Sequence, residues 1–217
     1  MTGRIVQVEA LQQGWDLQGT APRPLTASYN LSPYQWLALQ RQPDLLEPAH
    51  WGLAPSWIKR LNEAPYTARA EQLLTNAMFK RPLARQRAVL PVDGVYDWIS
   101  ASGRRWPIYI SSPEHTLMNI AALWEVYQLG DMRFLTCALI SVPSNPFLSA
   151  FLTRMPALLD QQQTAQWLST DTTDTDAIKL LQPWSGVLQT WQVTAEMNSP
   201  QFQGSDCIKP VGKVFKG

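Results

Sequence analysis

The sequence predicts an α+β fold with a mainly antiparallel, barrel-like β-sheet core and short flanking helices, and three observations predict it. The 17 prolines outnumber the 11 glycines and are scattered along the chain, which cuts it into short elements and argues against a helical bundle. Short apolar runs rich in β-branched and aromatic residues recur between turn-rich stretches, and the few helix-forming segments among them keep no regular βαβ rhythm. The 217 residues are 45% hydrophobic and include 10 Trp, enough for a sizeable core in one domain spanning residues 1–217.

Taken in order, Ile5-Val6-Gln7-Val8 reads as a strand that ties the N-terminus into a sheet. Gly14 to Pro24 is turn-rich, and Tyr29-Asn30-Leu31 is extended ahead of Pro33. Trp51 to Trp57 is too aromatic and too broken for a helix and reads as a strand leading into a rigid loop. Ala70 to Met78 holds helix formers without Gly or Pro. Ala88–Val92 and Val95–Trp98 are strands, and Ser102-Gly103 turns the second back into Trp106–Ile110 as a hairpin. Leu117 to Val126 and Phe134 to Val142 are central strands. Gln161 to Leu168 is a short helix, residues 170–176 a polar loop rich in Thr and Asp, and Trp191–Val193 and Cys207-Ile208 are the last strands. There is no internal repeat and no low-complexity linker.

Several function classes drop out. No window approaches the roughly 18 to 20 unbroken apolar residues of a membrane span, and no signal-type stretch follows Met1, so a cytoplasmic protein is expected. Cys137 and Cys207 are expected to be free and buried, and with His50 and His115 they form no ligand-spaced metal cluster; no metal and no cofactor is expected. No phosphate loop, G-x-S-x-G or H-E-x-x-H motif is present. A net charge of +1 does not announce a polyanionic partner, but the charge is segregated. Lys80, Arg81, Arg85 and Arg87 form a cationic cluster, while Asp160, Asp171, Asp174 and Asp176 stand against Lys179. Such a cluster is either a solvated face or a phosphate-facing surface.

In sequence order, the motifs resemble one family. Met1-Thr2-Gly3-Arg4 is similar to its Met-Cys-Gly-Arg start, Tyr29-Asn30-Leu31-Ser32-Pro33 to its Tyr-Asn-x-x-Pro, and Trp51-Gly52-Leu53-Ala54-Pro55 to its Trp-Gly-x-x-Pro. Ala68-Arg69-Ala70-Glu71 matches Ala-Arg-x-Glu, and the run Arg87 to Trp98 matches Arg-Cys-x-x-Pro-Ala-x-Gly-Tyr-Tyr-Glu-Trp. Ala121 to Glu125 is similar to Ala-Gly-Leu-Trp-Glu, and Leu152 to Pro156 to His-x-Arg-Met-Pro. These motifs cover almost the whole chain and resemble the SOS response-associated peptidase (SRAP) family of abasic-DNA-sensing proteins.

The resemblance implies a monomer that binds single-stranded or abasic DNA. It also implies chemistry at an N-terminal cysteine, freed by self-removal of Met1, whose α-amine and thiol close a thiazolidine crosslink with the opened sugar. An α-amine, with a pKa of about 7.7 to 8, keeps a neutral fraction that a lysine near about 10.4 does not. Here Thr2 replaces that thiol with a much weaker nucleophile. Thr67 stands for the family's asparagine, Leu152 for its proton-transferring histidine and Asp97 for its acid-base glutamate, so the reacting half departs together. Arg4 and Arg69 match its phosphate-holding positions, Asn30 and Pro33 its site-bordering loop, and Trp57 a base-stacking aromatic, although Ile58 replaces the neighbouring one; the resemblance also gives the cluster of Lys80, Arg81, Arg85 and Arg87 a partner, so it is read as a DNA-facing surface.

Alternatives stay open at this point. Asp97 is either an acid-base group or half of a structural ion pair with Arg69, and Arg4 and Arg69 could likewise serve ion pairs. Thr67 and Leu152 are equally readable as packing residues. Whether the chain is an enzyme is open. It is read as a DNA-binding protein with lost or weakened crosslinking chemistry; as a lyase acting through the Thr2 amine; or as a phage- or mobile-element-derived interaction scaffold.

Overall fold

The computed structural model describes residues 3–12, 16–17, 24–101 and 103–217; Met1, Thr2, most of the turn-rich stretch after Gly14, and Ser102 lie outside the described residues. The strands are β1 (Arg4–Gln7), β2 (Asp16–Leu17), β3 (Ser28–Leu31), β4 (Trp36–Gln42), β5 (Leu45–Trp51), β6 (Thr67–Arg69), β7 (Arg87–Val92), β8 (Gly94–Ala101), β9 (Arg104–Ser111), β10 (Met118–Leu129), β11 (Met132–Pro143), β12 (Arg154–Pro156), β13 (Leu158–Leu159), β14 (Gln189–Gln192) and β15 (Phe215–Lys216). Among the described residues three α-helices accompany them: α1 (Ala77–Arg85), α2 (Gln161–Leu168) and α3 (Asp174–Leu180).

Five strands close a barrel, in the circuit β4–β5–β11–β10–β7 and back to β4. Every pair in it is antiparallel except β5 with β11, which run parallel with Ala49 opposite Leu135 and Trp51 opposite Cys137. Closure removes the exposed edges that an open sheet of this length would present. β11 is long enough to take partners in succession along both edges: β5 and then β6 on one, β10 and then β12 on the other, so that Ser141 lies between Arg69 and Pro156. The second sheet has the order β15–β14–β9–β8–β1–β3 and includes the expected β8–β9 hairpin.

The core clamped between barrel and sheet includes Ile5, Leu39, Trp51, Val89, Leu123, Cys137 and Trp167. Gln7 pins the two layers together. Its fully buried amide donates to the carbonyls of Ala38 and Pro91 and accepts from the Ala38 N–H, so a polar side chain of β1 is satisfied by the neighbouring barrel strands β4 and β7. Cys137 and Cys207 are free and buried, as expected, and burial pushes both thiols up.

Three elements differ from the sequence reading. Ala70 to Met78 is not one helix: Ala70–Gln72 makes a 3-10 turn, and α1 starts only at Ala77, where the Asn76 side chain accepts from the Met78 N–H. The apolar stripe that seats the helix is Phe79, Pro82 and Leu83, so packing overrides the usual cost of a proline inside it. The stretch 170–176 is half loop and half helix start, because Thr173 caps α3 and places Asp174 and Asp176 in its first turn. Cys207-Ile208 lies in a 3-10 turn, not a strand.

Gly94 opens β8 where the chain crosses the Tyr109 ring, and a methyl group at this position would overlap that ring. Tyr109 is held between Tyr96 and Trp191, with ring centroids 5.1 and 5.2 Å away, and cannot swing aside. Gly94→Ala is therefore expected to cost about 3 kcal/mol, the upper end of overpacking penalties, and a thermal melt will show it. A melting point within a degree of wild type would mean that the ring has room to move.

Candidate nucleic-acid interface

Two groups of the sequence-singled residues come together on different sheets. On the open sheet, Arg4 lies opposite Tyr96, the residue before Asp97 in β8. Asp97 is buried in β8 and its Oδ1 accepts from the Trp98 N–H. Arg4 Nη1 donates to Asn30 Oδ1 at 2.8 Å and to the Met197 carbonyl at 2.7 Å, and Nη2 donates to the Asn198 carbonyl at 2.6 Å. Asn30 is fully buried, and its Nδ2 reaches the carbonyls of Met197, Ser199 and Phe202. The pair staples residues 197–202 onto β1 and β3. Asn30 thus shows no side chain to a DNA strand, and three of the donors of Arg4 are committed inside the fold.

On the barrel, β6 lies parallel to β11 with Thr67 opposite Leu139 and Arg69 opposite Ser141. Arg69 is exposed. None of the described ion pairs joins it to Asp97. Beside it, Arg154 donates to both oxygens of Glu71 at 3.1 and 2.9 Å and to Ser141 Oγ and the Ser141 carbonyl. The Arg154 guanidinium holds the Glu71 carboxyl below its ordinary range. Leu152 is buried in the main core cluster, and Thr67 is half-buried at the strand start. Arg154 and Glu71 were visible in the sequence only as motif letters; their mutual ion pair needed the register of β6 and β12 on β11.

The cationic cluster divides. Lys80, Arg81 and Arg85 are exposed on the outer face of α1, because Phe79, Pro82 and Leu83 turn the other face inward. Arg87 does not join them. It begins β7, is 7% exposed, and its guanidinium donates to the carbonyls of Leu83, Trp167, Ser169 and Thr172. The sequence placed it on a DNA-facing surface; the strand that follows α1 carries it inward, where the ends of two helices converge on it.

Trp57 is 62% exposed at the tip of the loop after β5, and Pro33 is half-buried at the turn after β3. Trp57 and Arg81 come together: with Met78, Glu125, Gln128 and Arg133 they line a cleft of about 420 Å³ between that loop, α1 and the β10–β11 hairpin. Arg81 and Arg133 enter none of the described ion pairs. An exposed indole beside two free guanidinium groups can hold a flat base and the phosphates on either side of it. Arg133 escaped the sequence reading because it stands alone in the chain, and only the hairpin brings it to Arg81.

A five-stranded barrel joined to a six-stranded sheet, with a basic, tryptophan-edged cleft on its wall, defines an α+β protein with a candidate polyanion-binding surface. The chain belongs to the SOS response associated peptidase (SRAP) family, whose model matches residues 1–200. It is 29% identical over 191 residues to the abasic site processing protein YoqW of Bacillus subtilis, covering 84% of this chain and 85% of that one. It is 26% identical over 207 residues to the abasic site processing protein HMCES of Rattus norvegicus, covering 79% of this chain and 58% of that one. A crystal structure of a Bacteroides thetaiotaomicron protein shares the fold, with a TM-score of 0.76, 20% identity and coverage of 96% and 92%.

Proposed function

We propose that the chain is a single-domain DNA-binding protein of the SRAP family that recognises single-stranded or abasic-site DNA, with its crosslinking chemistry lost or weakened. The observation that carries the binding half is the cleft that unites exposed Trp57 with Arg81 and Arg133, next to Lys80 and Arg85 on the same helix. Arg69, exposed at the end of β6, adds a further cation outside the described ion pairs. The same arginines would also suit an acidic protein partner in the interaction-scaffold reading; the aromatic Trp57 beside them favours nucleic acid.

The reduced chemistry rests on side chains. Leu152, at the position of the family's histidine, is core and has no proton to move. Thr2 offers a hydroxyl for a thiol, and Thr67 a shorter reach than an amide. Asp97 keeps a carboxylate in β8 near the N-terminal strand, which leaves a Schiff base through the Thr2 amine as the second reading.

Titrating labelled single-stranded oligonucleotides, with and without an abasic site, at rising salt tests the binding. Affinity that falls steeply with salt is expected, and no binding at low salt would sink the proposal. Borohydride treatment with the abasic oligonucleotide, read beside the intact mass of the protein, separates the two chemical readings. No trapped adduct is expected; a trapped adduct on protein lacking Met1 would establish the Thr2 amine as reactive. Thr2→Cys is expected to restore a heat-stable adduct, formed slowly without the histidine.

A further inference from the structure

A second cavity lies at the mouth of the barrel. Leu37 and Leu39 on β4, Ala49 on β5 and Cys137 on β11 belong to the main core. Side chains alternate along a strand, so Glu47 and Leu135 point the same way as these residues, one layer further out, and Arg41, at the bulge where β4 shifts register on β5, is held in that layer by Glu47 and Trp124. Trp124 lies across from Cys137 and completes that layer. They line about 360 Å³ together with Val126 and Arg133. That volume is in the range, roughly 300 to 1,000 Å³, of sites for small organic groups, which often occupy barrel mouths.

The layer is polar where a barrel end could have been closed by apolar side chains. Arg41 Nε and Nη2 donate to the Glu47 carboxylate at 2.6 and 2.5 Å, and its guanidinium carbon sits 4.3 Å from the Trp124 ring centroid. Held on two sides, the guanidinium is fixed as a plane with Nη1 and part of Nη2 still able to donate. A plane of this kind stacks on nucleobases and bonds phosphate oxygens.

Val126 and Arg133 line both this mouth and the Trp57 cleft. The hairpin register explains the continuity: Val126 lies opposite Leu135, and Gln128 opposite Arg133. Trp124, Val126 and Gln128 therefore share a face with Arg133 and Leu135, and that strip of hairpin runs from one cavity into the other.

Resting on the DNA-binding reading above, we infer that the barrel mouth is a second nucleotide subsite. A single strand seated in the Trp57 cleft passes Arg133 and lays a further base and its phosphate against the Arg41–Trp124 stack. Arg133 bridges the two stations. The occupant is single-stranded nucleic acid, because the track pairs flat cationic and aromatic surfaces with guanidinium donors that remain able to bond phosphate.

The test is a length series. Oligonucleotides are lengthened one nucleotide at a time from each end, and dissociation constants are read by fluorescence anisotropy. Wild type is expected to gain about tenfold or more in affinity on lengthening in one direction, the scale of one stacked base. The double variant Arg41→Gln/Glu47→Gln, which leaves the net charge unchanged, and the variant Trp124→Leu are expected to lose that gain while binding the shortest oligonucleotide as wild type does. Arg133→Glu, at an exposed position, is expected to weaken binding at every length and guards against misfolded mouth variants. A gain that survives in the mouth variants, or no gain in wild type, overturns the second subsite and leaves the cleft standing. Failure of the shortest oligonucleotide to bind overturns both.

Discussion

Arg87→Met is expected to lower the unfolding free energy by about 3 to 5 kcal/mol, because it strips the donors from four carbonyls and each buried group left unsatisfied costs about 1 to 3 kcal/mol. The guanidinium joins four carbonyls from three segments: Leu83 in α1, Trp167 at the end of α2, and Ser169 and Thr172 in the loop beyond it. Leu83 and Trp167 lie in the last turns of their helices, where unsatisfied carbonyls carry partial negative charge, so the cation compensates two helix ends at once. Methionine fills the stem's volume but leaves the carbonyls without donors, those of Leu83 and Trp167 in buried positions. Arg87→Lys keeps the charge but presents three donors from one point, and is expected to lose roughly half as much. Urea unfolding checks both: a lower midpoint at constant slope, with DNA affinity of the folded protein unchanged at low temperature. A stability change under about 1 kcal/mol together with a tenfold loss of DNA binding would return Arg87 to the interface.

Arg87 also illustrates what the sequence could and could not reveal. Its neighbours Lys80, Arg81 and Arg85 are cationic and so is it, and charge clustering in sequence does not distinguish the outer face of a helix from the start of the strand behind it. Where the signal was local, the reading held: β7 is an unbroken buried run, α2 begins at the Asp160–Gln163 capping box, and the β8–β9 hairpin flanks Gly103. Two barrel strands gave no such signal. β4 ends in Gln40, Arg41 and Gln42, β5 contains Pro48, and the turn between them takes its left-handed residue from Asp44 at φ 57° instead of a glycine. Only barrel closure makes Arg41 sensible there, because it meets Glu47 and Trp124 at the mouth of the interior.

The site was legible as a family pattern and not as geometry. Asn30 and Arg4 matched motif positions, yet their partners lie on the far C-terminal segment, 193 residues from Arg4 in the case of Met197. A motif records that a residue is kept at a position; it does not record whether the side chain faces a ligand or holds the wall behind one. Trp57, Arg81 and Arg133 show the opposite case, since three separated segments form one cleft.

Reversing the outer face of α1 is expected to have the largest effect on binding. Lys80, Arg81 and Arg85 are exposed and enter none of the described ion pairs, so their charge is free to neutralise phosphates. For a single strand each neutralised phosphate contributes about 0.7 to the slope of log affinity against log salt, so the triple change Lys80→Glu, Arg81→Glu and Arg85→Glu is expected to flatten it by about 2. At low salt, reversal adds repulsion to lost attraction, and affinity is expected to fall by about 100-fold or more. Stability is expected to change by only about 1 kcal/mol, chiefly because Arg85 sits in the last turn of α1, where a carboxylate meets the negative end of the helix dipole. The contrast with Arg87→Met is the discriminating result: that substitution destabilises the fold without touching the interface, and the triple change disables the interface on an intact fold. An unchanged salt slope in the triple variant would move the phosphate path off α1 and toward Arg69 and the β11 edge.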